Sequence, residues 1–303
     1  MDNYSEKLKD VSVVQKLMAY IKLLRPKQWI KNLFVVAPLI FAKHIFEYNY
    51  VIRVLAAFVL FCCISSSVYV LNDIIDCEKD RLHPKKKNRP IASGLISKIE
   101  GAIVIAILLP LILFVSFYMD IFFGFAVLLY FLNNLLYSFK IKHMVILDVM
   151  SIAVGFLLRV IGGALVIRVY ISPWILLCTL LLSLFLGFSK RRNELVVLAN
   201  GAENHRKILE EYSLEFIDNM LSIVTASTVM AYSLYTFSTN SGNYNMMLTI
   251  PFVLYGIFRY QYIIYKKNEG GSPEETVLSD IPLIVSIVLW GIVSVAILYF
   301  GNS

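Results

Sequence analysis

The sequence predicts an all-α integral membrane protein of about nine transmembrane helices, with its N-terminus cytoplasmic and its C-terminus outside. Three observations predict it. Of the 303 residues, 58% are hydrophobic and only 16% are charged. The apolar residues gather into runs of about 20, the length that crosses a bilayer's hydrocarbon. Most cations between those runs fall in every second connection, and the others carry little positive charge. A closed β-barrel would instead show short alternating strands.

In chain order, residues 1–20 are polar to amphipathic, and residues 1–15 lack the short apolar core and small-residue cleavage site of a removable signal peptide. Apolar runs follow at 28–47, 50–72, 99–119, 121–139, 145–167, 172–190, 216–238, 246–265 and 281–300. Lys22, Arg25, Lys27 and Lys31 open the first. Basic residues recur between the second and third (Lys79 through Lys98), fourth and fifth (Lys140, Lys142, His143), and sixth and seventh (Lys190, Arg191, Arg192, Arg206, Lys207). Lys266 and Lys267 lie between the eighth and ninth, whereas Met119–Asp120 and 239–245 carry no cation. Positive residues stay inside, which fixes the orientation.

The net charge of +7 is therefore mostly topology. It calls for no nucleic acid, although membrane lipids of negative charge and phosphorylated substrates would be attracted. Cys62, Cys63, Cys77 and Cys178 have no ligand spacing and read as small core residues. Residues 1–303 read as one membrane domain whose longest connections, 77–98 and 191–215, lie in the cytoplasm. Nothing in the sequence sets an oligomeric state.

Five features at that face carry chemistry. In 72–94, NDIIDCEKDRLHPKKKNRPIASG, the residues Asn72, Asp76 and Asp80 recur every four and share a face if the helix continues. Asp73 and Glu78 add carboxylates, and Lys85, Lys86, Lys87 and Arg89 follow. Oxygen ligands at a helix end suit Mg²⁺ carrying a substrate diphosphate; a solvated helix end with a basic loop is the plainer reading. In 25–32, RPKQWIKN, Trp29 reads as an interface anchor, while Gln28, Lys31 and Asn32 are placed to reach a phosphate. In YSFKIKHMVILD (137–148), Tyr137 and Lys140 end one helix and Asp148 begins the next.

Arg159 lies eleven residues beyond Asp148, hence about 16 Å deeper. At that depth it is either a structural salt bridge or the cation of a water-filled, anion-binding chamber. Gly155, Gly162 and Gly163 around it permit close packing or a cavity. In SKRRNEL (189–195), Lys190 and Glu194 share a helix face with Arg191 beside them. His44, His83, His143 and His205 are scattered and read as structural or solvated.

The NDxxDxxxD pattern after the second run resembles the UbiA superfamily of intramembrane prenyltransferases. RPKQWIKN, the DxExDRxHPxKxxRPIAxG pattern at 76–94, YSFKIK and GFLLRVIGG resemble its decaprenyl-phosphate phosphoribosyltransferase branch, over nearly the whole chain. The resemblance implies a UbiA-like bundle in the cytoplasmic membrane. It also implies Mg²⁺-dependent transfer of 5-phosphoribosyl from phosphoribosyl pyrophosphate (PRPP) to a polyprenyl phosphate. The product, polyprenyl-phosphoryl-5-phosphoribose, would be a lipid-linked pentose precursor for cell-envelope glycans. Asn72, Asp76 and Asp80, with Asp73, would then hold the metal. Lys85, Arg89, Lys140, Lys190 and Arg191 would clamp phosphates, and Arg159 would neutralise buried charge.

Aromatic prenyltransferases of the superfamily carry a second DxxxD motif, where this chain reads Lys190-Arg191-Arg192-Asn193-Glu194. That departure points away from a second metal site and toward extra phosphate groups. The competing readings are a true prenyltransferase acting on an aromatic acceptor and a transporter without chemistry.

Overall fold

The structure, a computed structural model, describes residues 12–83, 86–199, 207–238, 244–267 and 271–301, and their regular elements are all helical. In chain order these are α1 (Val13–Leu24), a 3-10 segment (Pro26–Val35), α2 (Ala37–Phe41), α3 (Tyr48–Ile75) and α4 (Cys77–Leu82). Then come α5 (Lys98–Met119), α6 (Ile121–Phe139), α7 (Leu147–Ile167), α8 (Pro173–Ala199), α9 (Leu214–Ser238), α10 (Ile250–Lys266), α11 (Pro273–Ser279) and α12 (Ile281–Phe300).

Helix α1 starts at Ser12, whose hydroxyl accepts the Gln15 N–H while the Gln15 side chain accepts the Ser12 N–H. This reciprocal cap stops fraying at the first turn. Val13, Val14, Leu17, Met18 and Ile21 form one exposed apolar face, while Ala19 and Leu23 pack on Val70, Cys77, Ile91 and Ile96. Such a face suits a helix lying on a membrane surface. The part of the amphipathic expectation covering residues 1–11 lies outside the described residues.

Eight helical stretches among the described residues are long and apolar enough to cross a bilayer: α3, α5, α6, α7, α8, α9, α10 together with the 3-10 turn before it (Asn245–Lys266), and α12. The expected first span, 28–47, is not one of them. Arg25 turns into the left-handed region (φ 53°), Pro26 opens the 3-10 segment and Pro38 restarts the chain as the short α2. The stretch still runs alongside α3. Arg25 meets Asp73 near the end of α3, and the Ile45 N–H donates to Tyr299 Oη (3.0 Å) just before α3 begins.

Non-helical backbone at such depth needs protein around it, and Asn32 and Val35 are fully buried. Gly163 of α7 makes this possible: a Cβ there would sit 2.0 Å from the Val35 carbonyl oxygen. Trp29, expected at the interface, instead turns inward and donates to Ser66 Oγ of α3 (3.1 Å).

Helix α7 is the axis of the bundle, with 67% of its central residues buried against 11% for α5, which faces outward. One core joins α3, α6 and α7 with Val35 and Leu39. A second joins Val149 of α7 to α8, α9 and α10. The connections also differ from expectation. Much of 77–98 is ordered as α4 and the turn Lys86–Asn88, and α8 continues to Ala199, so the connection expected at 191–215 is shorter.

Candidate active site

The helix carrying Asn72, Asp76 and Asp80 does not continue. It breaks at Asp76 (φ −92°, ψ 8°), which ends α3 and starts α4. The break separates side chains that a single helix would stack. Asp73 and Asp80 are both buried, and Arg89 bridges them, its Nη1 donating to Asp73 Oδ1 (3.1 Å) and Asp80 Oδ2 (2.6 Å). Arg25 donates to the same Asp73 Oδ1. Asp76 is held instead by Lys142 Nζ (2.9 Å), and Asn72 Oδ1 accepts from Ser138 of α6. Lys140 lies exposed at the end of α6, two residues short of that contact. Lys85 lies outside the described residues.

Asp73 Oδ2 is buried with no donor. An acceptor left this way costs about 1–3 kcal/mol, and a cation or substrate donor would relieve it. All the oxygens here are hard donors of the kind Mg²⁺ takes. Among the described residues no three carboxylates, imidazoles or thiolates surround one point; guanidinium and ammonium groups lie against the carboxylates instead. The donor set fits the ion in kind, with cations to be displaced.

The 3-10 segment organises the neighbouring groups. Its three-residue period lines up every third side chain. Arg25, just before the segment, reaches Asp73, and on one line within it Gln28 Nε2 donates to Glu274 Oε1 of α11 (2.6 Å). Lys31 Nζ on the same line donates to Gln28 Oε1 (2.6 Å) and lies 3.1 Å from Glu274 Oε2. Burial pushes the Glu274 carboxyl up, but the Lys31 charge and the bonds from its own backbone and Gln28 hold it below its ordinary value.

On another line, Asn32 Oδ1 accepts from Arg159 Nε (2.7 Å). Arg159 also donates to the Gly155 carbonyl (2.9 Å) and Tyr130 Oη (2.8 Å), and stacks over the Tyr130 ring at 4.6 Å. Among the described residues it has no carboxylate partner within ion-pair distance, so the structural salt bridge weighed for it is not there.

A second charged cluster sits at the same end. Arg191, 1% exposed, donates to Asp148 Oδ2 (2.6 Å), Glu194 Oε2 (2.5 Å) and Tyr137 Oη (3.2 Å). Tyr212 Oη donates to Asp148 Oδ1 (2.9 Å) and accepts the Ile146 N–H (2.6 Å). Burial, with Asp148 adding to it, pushes the Tyr212 phenol up, so it stays a donor. Ile146 is a β-branched residue at φ 67°, a conformation that persists only when neighbours impose it; Tyr212 does so. Lys190 is half-buried one position before Arg191.

Sequence reasoning missed Arg25, Ser138, Lys142, Tyr130, Tyr212 and Glu274 as site residues. Arg25, Ser138 and Lys142 lay within RPKQWIKN and YSFKIK without a role of their own, and Glu274 left a trace as an acidic pair, Glu274–Glu275, in a connection that should be basic.

The sequence profile of the UbiA prenyltransferase family matches residues 33–277, and the chain belongs to that family. It is a multi-pass membrane transferase. It is 34% identical to the decaprenyl-phosphate phosphoribosyltransferase of Mycolicibacterium smegmatis over 297 residues, covering 93% of this chain and 92% of that one. The protein of the same name from Corynebacterium glutamicum is 34% identical over 279 residues, covering 89% and 83% respectively. Among solved structures, a UbiA homolog from Archaeoglobus fulgidus bound to DMAPP and Mg²⁺ superposes with a TM-score of 0.69 at 17% identity, over 93% of this chain and 99% of that one. That last likeness speaks for the fold.

Proposed function

We propose that this protein transfers the 5-phosphoribosyl group of PRPP to a polyprenyl phosphate, with its charged end in the cytoplasm. The observation that carries the reading is the gathering of Asp73, Asp76 and Asp80 with Arg25, Arg89 and Lys142 from four separate stretches of chain. The names of the relatives, at this identity and coverage, supply the substrates.

The residues present suit a donor diphosphate. Asn72, Asp76 and Asp80, with Asp73, would hold Mg²⁺, which supplies charge neutralisation for the departing pyrophosphate. Arg25, Arg89 and Lys142 exchange their carboxylate partners for phosphate oxygens, so the negative charge that develops on the leaving group meets positioned donors. The lipid phosphate oxygen attacks C1 of the pentose as the C1–O bond to pyrophosphate breaks, and pyrophosphate leaves with the electron pair. The attacking oxygen is already anionic and needs no base. Arg159, held by neutral groups alone, keeps its positive charge uncompensated in the interior, where it draws an anionic headgroup inward.

The test is incubation of the purified protein in liposomes with labelled PRPP and decaprenyl phosphate, with Mg²⁺ or with EDTA. Label entering the lipid phase only with Mg²⁺ is the expected result. Consumption of a prenyl diphosphate in the presence of an aromatic acceptor, with PRPP untouched, would replace this reading by that of a true prenyltransferase.

A further inference from the structure

We propose that α1 is a lipid-seated positioning helix: its exposed apolar face enters the headgroup–acyl boundary of the cytoplasmic leaflet, and that seat sets Arg25 and Arg89, the two arginines of the aspartate cluster. The seat holds whatever the donor is. Its bearing on turnover rests on the reading of that cluster as the donor site.

What covers the face follows from what surrounds the helix. At about 100° per residue, Val13, Val14, Leu17, Met18 and Ile21 fill one arc of about 140°, and each is more than half exposed. Ala19 and Leu23 lie opposite, on the core. One edge of α1 is tied to the head of α5, where Lys16 Nζ lies 2.6 Å from Glu100 Oε1 and Tyr20 Oη donates to the same oxygen (3.4 Å). From that head Ile99, Ile103, Ile107 and Leu111 run down α5 as an exposed apolar stripe, the lipid-facing side of a span. Helix α1 is therefore held where a spanning helix leaves the bilayer, with its apolar arc continuing a surface that lipid already covers. An amphipathic helix in that place is stabilised by sinking the arc into the boundary.

The positioning follows from what the last turn of α1 holds. Arg25 ends the helix, its N–H donating to the Lys22 carbonyl (3.3 Å), and its guanidinium lies over the Tyr69 ring (4.9 Å) where it reaches Asp73. Lys22 Nζ donates to the carbonyl of Asn88 (3.1 Å), the residue before Arg89. Leu23, fully buried, packs with Ile91 and Ile96 on the far side of Arg89. One arginine is thus carried by α1 and the backbone around the other is pinned by it, and both end on Asp73 Oδ1. A helix that leaves its seat takes Arg25 along and loosens the loop of Arg89. Displacing positioning groups by about 1 Å costs about 10²-fold in rate.

The experiment reads the seat and its effect separately, in protein reconstituted in liposomes of phosphatidylethanolamine and phosphatidylglycerol. For the seat, Cys63 and Cys178, the cysteines that are not fully buried, are replaced by alanine, and Leu17→Cys is labelled with an environment-sensitive fluorophore. Blue-shifted emission shielded from aqueous iodide is the expected result. Quenching as strong as that of the free fluorophore would put the face in water, and oxidative cross-linking of Leu17→Cys between copies would put a second chain on it; either overturns the seat. For the effect, Leu17→Gln and Ile21→Gln are made together. Both side chains are exposed, so the melting temperature should hold, while KM for PRPP rises about 10- to 10²-fold and kcat changes less. The pair Leu17→Ile and Ile21→Leu, which keeps the arc apolar, should bring KM back. A KM for PRPP unmoved by the glutamines would overturn the positioning role. A wild type that consumes only a prenyl diphosphate would overturn the parent reading, with the seat still decided by the fluorophore.

Discussion

Two clusters at the same end of the bundle use the same functional groups and are saturated in opposite ways. In the first, Arg89 (27% exposed side chain) is shared between Asp73 and Asp80, Arg25 doubles up on Asp73 Oδ1, and Asp73 Oδ2 has nothing. In the second, Arg191 is 1% exposed and gives bonds to Asp148, Glu194 and Tyr137, while Tyr212 takes the other oxygen of Asp148. Arg25 and Arg89, each partly open to water, can take up water or a ligand oxygen as they leave a carboxylate. A desolvated ion pair cannot, because separating it strands a charge. On the function proposed above, the first cluster receives the ligand, while the bonds of the second tie α6, α7, α8 and Tyr212 together beside it.

The largest effect expected on this contrast is at Asp76. Asp76→Asn should lower turnover about 10³-fold or more with the melting temperature unchanged; a matching loss of stability would erase the distinction between the clusters. Arg191→Met should act the other way, costing about 3–5 kcal/mol of stability. Adding Asp148→Leu should restore part of it, as read in thermal inactivation of the detergent-solubilised protein. Tyr212→Phe, which removes the bonds to Ile146 and Asp148, should cost about 1–3 kcal/mol and leave the dependence on Mg²⁺ concentration where it was.

A smaller effect belongs to pH. The Glu274 carboxyl lies below its ordinary value in the folded chain, so the stability it contributes is fully present above the unfolded glutamate value of about 4.3 and is lost as pH falls through the folded one. Glu274→Gln should flatten that acid limb of the melting curve. At the solvated edge, Lys98 bonds Glu78 at 2.8 Å with both side chains about half exposed or more. Lys98→Ala should change neither stability nor rate measurably.

The aspartates, Arg89 and the shared face of the charged loops were legible because each is local: apolar run lengths, four-residue spacing and alternating basic connections all report on neighbours in sequence. Where the reading failed, the cause lies in contacts that sequence spacing does not carry. Asp76 ends one helix and begins another, so Asn72, Asp76 and Asp80 reach three different partners. Lys142, read from the sequence only as a loop cation, meets Asp76 because the turn Ile141–His143 carries the chain round. Hydropathy alone made 28–47 a span like the others, although Pro26, Pro38 and three polar side chains already opposed a lipid-facing helix. Glu274 is 246 positions from Gln28, beyond the reach of any periodicity.

The 3-10 segment has a consequence for how this chain can vary. At three residues per turn each residue advances the side-chain direction by about 120°, so Gln28 and Lys31 serve one wall while Trp29 and Asn32 serve another. A single alanine inserted after Lys27 would rotate everything downstream by a third of a circle, swinging Asn32 off Arg159 and Gln28 off Glu274 together. Indels of one or two residues here should be lethal to activity, whereas an exchange of side chain at one position damages the contacts of one wall only. The contacts on both walls depend on the length of this stretch more than on any one of its side chains.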